Sequence, residues 1–192
     1  MTVRLKIAVV LGIALAAAAP ARAQYGDTTD IVVAADYAGA GFEQMALFRP
    51  ANATWYIQNV QCAAPGPCPA IQIQFGAAGD IPFAEDLDGD GRADLVVYRP
   101  STGKWYLSKL NCADKSTPCD GTAIQWGGQA GDIPYIDDFD GDGSPDLMIY
   151  RPSTEVCWVL RTQCSIGAYT CYFFIPPLIP RLSVEEPTGI PR

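Results

Sequence analysis

The chain has 192 residues with 21 Asp and Glu against 13 Lys and Arg, a formal net charge of −8, so there is room for one domain with a tail. That acidic balance argues against nucleic acid as a partner, because binding it requires Lys and Arg to neutralise phosphates, and favours divalent cations. Histidine is absent, which excludes Ser-His and Cys-His nucleophilic pairs and any His-ligated zinc.

Residues 1–23 read as a secretory signal peptide. Arg4 and Lys6 form a basic start, a 13-residue apolar run follows, and Ala21-Arg22-Ala23 is a small-residue cleavage signal, with cleavage expected after Ala23. The run is shorter than the roughly 20 residues a membrane span needs. The exported chain, secreted or periplasmic, would keep 169 residues and no membrane span. Loss of three basic residues and no acidic one takes its net charge from −8 to −11.

An internal repeat organises the remainder. The segment 79–107, beginning G-D-I-P-F-A-E-D-L-D-G-D-G-R-A-D-L, returns without a gap at 131–159, an offset of 52 residues. A worn copy at 36–57 precedes the second by 50 residues, and Tyr25-Gly26, Phe75-Gly76 and Trp126-Gly127 punctuate the series. Three units of about 25–74, 75–125 and 126–178 make one repeat domain over 24–178, followed by a Pro-rich tail over 179–192. A period near 50 residues points to a repeat array such as a propeller.

Within the second unit the pattern is β throughout. Ile81–Glu85 is a strand, an acidic loop follows, and Leu95–Arg99 is an apolar strand. Pro100-Ser101-Thr102-Gly103 is a turn, Lys104–Lys109 a third strand and Ala123–Trp126 a fourth. Four short strands per unit make a propeller-type blade, and the fold class is all-β. Trp55, Trp105, Trp126 and Trp158 are expected in the blade cores, and Arg49, Arg99 and Arg151 on aromatic rings or paired with Asp. Asp80 and Asp132 read as turn-forming residues that bond to local backbone.

Cys62 with Cys68, Cys112 with Cys119, and Cys164 with Cys171 fall between the third and fourth strands of their units. They read as three local disulfides of an exported protein, with pairing between units as the alternative. Cys157 is left over, at the place Trp105 holds in the second unit. It is either a buried thiol or a link to another chain.

The acidic loops carry the chemistry. In 86–94, Asp86, Asp88, Asp90 and Asp94 occupy positions 1, 3, 5 and 9, with Gly89 and Gly91 at 4 and 6. Asp138, Asp140, Asp142 and Asp146 repeat the set. Alternate carboxylates on a chain bent by glycine converge on one point, and the backbone carbonyl at position 7 (Arg92, Ser144) is a natural further ligand. Calcium takes six to eight hard oxygens in irregular geometry; magnesium keeps its water and uses fewer carboxylates. An EF-hand would need Glu at position 12, where this chain has Val97 and Ile149.

These residues bear a resemblance. The aromatic-Gly pair, the Gly-Asp-Ile-Pro turn (79–82, 131–134) and the D-x-D-G-D-G-x-x-D-L loop (86–95, 138–147) are similar to FG-GAP/VCBS repeats, the blades of the integrin-α-type β-propeller. The resemblance implies Ca²⁺ on Asp86, Asp88, Asp90 and Asp94, and on Asp138, Asp140, Asp142 and Asp146. It also implies a secreted module for extracellular recognition or adhesion, with a glycan or protein ligand. The first unit keeps Asp36 but has Ala38, Ala40 and Gln44 at the other acidic positions, so two ions are expected and none in that unit. Calcium is expected to be mainly structural. Three blades fall short of the four or more of a closed propeller, which leaves an open array, or one completed by association. The alternative function is a structural subunit whose blades complete a larger propeller or oligomer. No catalytic pair is recognisable, and an enzyme is not expected.

Overall fold

A computed structural model of the chain describes residues 28–58, 70–110, 119–162 and 172–175; these form twelve strands, and among the described residues there is no helix. The strands make three antiparallel meanders of four. The first sheet holds β1 (Ile31–Ala35), β2 (Gln44–Arg49), β3 (Thr54–Ile57) and β4 (Ile71–Gln74). The second holds β5 (Ile81–Glu85), β6 (Asp94–Arg99), β7 (Lys104–Lys109) and β8 (Cys119–Gln125). The third holds β9 (Ile133–Asp137), β10 (Asp146–Arg151), β11 (Val156–Leu160) and β12 (Tyr172–Ile175).

Two strands differ from the sequence expectation. β6 begins at Asp94 rather than Leu95, because Asp94 pairs with Glu85 across the sheet. β8 starts at Cys119, reached through a register shift between Leu107 and Lys109, and stops before Trp126. The pairing ends at Trp126 because Gly103, its partner in register, accepts the Trp126 N–H (3.1 Å) but turns its own N–H to the Arg99 carbonyl (2.8 Å).

The sheets are stacked through two cores. Leu95 and Val97 of β6 join Phe48, Trp55, Ile57 and Ile73 of the first sheet. Val96 and Tyr98, the alternate residues of the same strand, join Trp126 and, from the third sheet, Leu147, Ile149 and Trp158. A strand alternates its side chains between faces, so a strand buried on both sides must be apolar at every position. Leu95-Val96-Val97-Tyr98 satisfies that demand, and each aliphatic side chain so buried contributes about 1.5–3 kcal/mol. All four tryptophans are buried. The Trp55 indole N–H donates to the Phe75 carbonyl and that of Trp105 to the Trp126 carbonyl, each at 3.0 Å, so both indoles grip the aromatic-glycine junction that opens the next unit. Cys157 stands at the corresponding place in β11 as a half-buried free thiol, its pKa raised by burial.

The other face of the hairpin repeats an ionic lock. Arg49 pairs with Asp30, Arg99 with Asp80 and Arg151 with Asp132 at 2.7–2.8 Å. Each guanidinium also lies over an aromatic ring, Tyr56, Tyr106 or Trp158, at 4.4–4.6 Å from its centre. The aspartates fix their turns as well: Asp80 accepts the Ala77 N–H and Asp132 that of Gln129.

The segment 1–23 and the tail 179–192 lie outside the described residues, as do Cys62, Cys68, Cys112, Cys164 and Cys171. Cys119 enters only through the backbone of β8.

The turn between β6 and β7 places Gly103 at a φ of +64°, and a Cβ there would sit 2.3 Å from the Gly128 Cα. The equivalent residues Ala53 and Glu155 share the left-handed conformation. Gly103→Ala is therefore expected to lower stability by about 2–3 kcal/mol through overpacking and strain, measured by urea denaturation.

Candidate metal centre

Each acidic loop joins the first two strands of a unit and is organised by its own backbone. In the second unit the Asp86 carboxylate accepts the N–H groups of Gly89 (2.8 Å), Asp90 (3.1 Å) and Gly91 (2.8 Å). Gly89 and Gly91, at φ of +78° and +83°, supply the bends that aim those donors inward. Asp138 does the same in the third unit with Gly141, Asp142 and Gly143 at 2.7–3.1 Å. Asp88 and Asp140 accept the N–H two residues on, from Asp90 and Asp142.

The position-9 aspartates are different, because each is the first residue of a buried strand. Asp94 is 1% exposed; its Oδ1 accepts the Leu110 N–H (2.9 Å) and its Oδ2 the Leu87 N–H (3.2 Å). Asp146 is fully buried, with the Thr162 N–H 3.4 Å from Oδ1. Its Oδ2 has no hydrogen-bond partner, since the neighbouring Phe139 N–H falls short of bonding geometry.

Carboxylate oxygens converge in both loops. Asp86, Asp88 and Asp94 each place one oxygen within 4.8 Å of the others, as do Asp138, Asp140 and Asp146. Asp90 and Asp142 are not in these clusters; their Oδ1 atoms accept the N–H of Arg92 (2.9 Å) and Ser144 (2.8 Å). Thus three of the four expected carboxylates meet in each loop. The fourth bonds to the backbone of the residue whose carbonyl was expected to serve as a ligand.

Residues 86–149, a span that includes both acidic loops, match the family model described as FG-GAP-like repeat. The matched segment is an FG-GAP-like repeat. Neither the curated proteins nor the solved structures contain a match.

In the first unit the loop keeps its shape with a different interior. Asp36 still accepts the N–H of Ala40 (2.9 Å) and Gly41 (2.6 Å), and these bonds, Ala40's foremost, hold its pKa below the ordinary value. Gln44 replaces the position-9 aspartate and is 1% exposed. Its amide Nε2 donates to the Phe42 carbonyl, which is the position-7 carbonyl, and lies 3.4 Å from Asp36 Oδ1. Its Oε1 accepts the Ala38 N–H (2.8 Å). A neutral amide thereby gathers the oxygens that a cation would gather. Sequence reasoning registered Gln44 only as a missing acid; its signal was a residue with two donors at a carboxylate position, beside alanines at positions 3 and 5.

The three loops differ in charge balance. Burial first, and then the charges of Asp88 and Asp90, push the Asp94 carboxyl up to about 6, against the bonds from Leu110 and Leu87. Asp146 is likewise pushed up to about 6, by burial and then by Asp140 and Asp142. Folding raises both pKa values above the unfolded value of about 3.9, so their contribution is complete below that pH and is lost as pH rises through about 6.

Thermal melts of metal-free protein in chelator are therefore expected to fall between about pH 4.5 and 7, with Asp94→Asn plus Asp146→Asn flattening that slope. Gln44→Ala strips partners from a buried loop interior. It is expected to cost about 1–3 kcal/mol in urea denaturation, equally with and without calcium.

Proposed function

We propose that the chain is an exported calcium-binding module whose FG-GAP-type units are propeller blades, serving extracellular recognition or adhesion toward a glycan or protein ligand. The observation that carries the calcium reading is the Asp146 carboxylate, fully buried, with one oxygen lacking a hydrogen-bond partner and within reach of Asp138 and Asp140. A buried charged oxygen without a partner is costly unless a cation offsets it. Hard carboxylate oxygens on a glycine-bent loop suit calcium better than magnesium, which retains more water.

In this reading Asp86, Asp88 and Asp94 hold one ion and Asp138, Asp140 and Asp146 the other. The carbonyls of Arg92 and Ser144, with Asp90 and Asp142, are further donors at hand. The ion supplies positive charge where the fold concentrates negative charge and fastens the connection between the first two strands. Its role is structural: the same aspartates already shape their own loops, and the first loop does without it. The protein is not an enzyme in this reading. The blade reading draws support from the sheet stack, in which the first strands of successive sheets, β1, β5 and β9, approach one another as strands around a propeller axis would. Export rests on the segment 1–23.

A second reading, assembly with further copies of the chain, is favoured by one observation. Met45 holds the register place of Leu95, which is buried between sheets in the second unit, yet Met45 is 55% exposed beside Val32 at 45%. Size-exclusion mass measurement tests it: a calcium-independent monomer counts against assembly.

Calorimetric titration of metal-stripped protein is expected to give two calcium sites, and Asp146→Asn one. Three equivalent sites, or none, would overturn the reading. Calcium at a hundredfold above Kd should stabilise the fold by about 2.7 kcal/mol per site.

A further inference from the structure

Beyond the aspartates, each acidic loop has one basic neighbour delivered by the far end of its own sheet. Lys109, the last residue of β7, places Nζ 3.2 Å from Asp88 Oδ2. Arg161, just past β11, places Nε 2.8 Å from Asp140 Oδ2. The two are register equivalents, 52 residues apart like the loops themselves, and both meet the position-3 carboxylate. In the first unit that carboxylate is Ala38, and the residue 50 before Lys109 is Asn59. Base and acid are present together in two units and absent together in the third. A surface ion pair without a role would not need to follow the loop's charge from unit to unit.

We propose that Lys109 and Arg161 are resident counter-cations that set the cation affinity of the two acidic loops. The proposal rests on the reading of these loops as calcium sites. In the metal-free loop the ammonium or guanidinium offsets the mutual repulsion of the clustered carboxylates. When a divalent ion enters, the same side chain becomes a like charge beside it and a rival for the Asp88 or Asp140 oxygen. The side chain therefore favours the metal-free state and disfavours the bound one. Both effects weaken binding, and the first steadies the loop before the ion arrives. The pairs are partly exposed, with Lys109 and Arg161 side chains at 40% and 39%, so solvent screens them and the effect is modest.

The experiment titrates calcium chloride into metal-stripped full-length protein and its Lys109→Gln and Arg161→Gln variants. Each substitution is expected to tighten one of the two sites about 2–5-fold and to lower the melting temperature of the metal-free protein. An unchanged or weakened calcium site in both variants overturns the proposal. A wild type that takes up no calcium overturns the calcium reading itself and with it the tuning role. In that case a metal-free double-mutant cycle of Lys109→Gln with Asp88→Asn still judges the pairing: coupling supports a counter-cation that stabilises the loop, and zero coupling removes it.

Discussion

Asp94 and Asp146 each enter a strand at its first residue, with a fully buried leucine next in sequence and three acidic residues in the loop before. A carboxylate held there is removed from water by the sheet stack and is surrounded by charge of its own sign. Its electrostatic cost must be met locally, because the backbone can offer only a few N–H groups. The raised carboxyl pKa values follow from that one placement.

The three units meet the constraint in different ways, with the backbone frame held constant. The position-1 aspartate collects loop N–H groups in every unit, so the loop's shape belongs to the chain rather than to any ion. What varies is the centre. In the first loop an uncharged amide bridges Asp36, Phe42 and Ala38. In the second, two backbone donors bond the buried carboxylate, while in the third only Oδ1 is bonded and the nearby Phe139 N–H leaves Oδ2 without a hydrogen bond. The same scaffold thus carries a graded series from self-sufficient to unsatisfied.

The strands were legible because their causes are local. Alternating or continuous apolar runs bounded by Pro, Gly and Asp specify Ile81–Glu85 and Lys104–Lys109, both found with those bounds. The continuous run Leu95–Tyr98 carried further information, burial on both faces, that only the stacking of sheets made readable. β8 escaped because its limits are set by partners distant in sequence: Gly103, opposite Trp126, turns its N–H to Arg99, and a register shift opposite Leu107 extends the other end. The acidic loops were visible as charge spacing. Which carboxylates converge was not, since Asp90 and Asp142 turn to the backbone N–H two residues on, a choice settled by hydrogen-bond geometry rather than by spacing. Gln44 was read as a loss because the contacts that make it a substitute run to Phe42 and Ala38, whose side chains carry no polar group to advertise them.

The indole grips of Trp55 on Phe75 and Trp105 on Trp126 run in one direction only, each unit holding the start of its successor. With the described sheets meeting chiefly their neighbours, through β1 with β5 and β5 with β9, cooperativity becomes a nearest-neighbour property, as in other repeat arrays. The middle sheet has a neighbour on each face and the flanking sheets, among the described residues, have one. Opening the second sheet disrupts both cores, whereas opening the first or third disrupts one. Protection against exchange should therefore peak at the amides of β6 and decline outward along the stack, making the order of unfolding a matter of position rather than of any unit's own sequence.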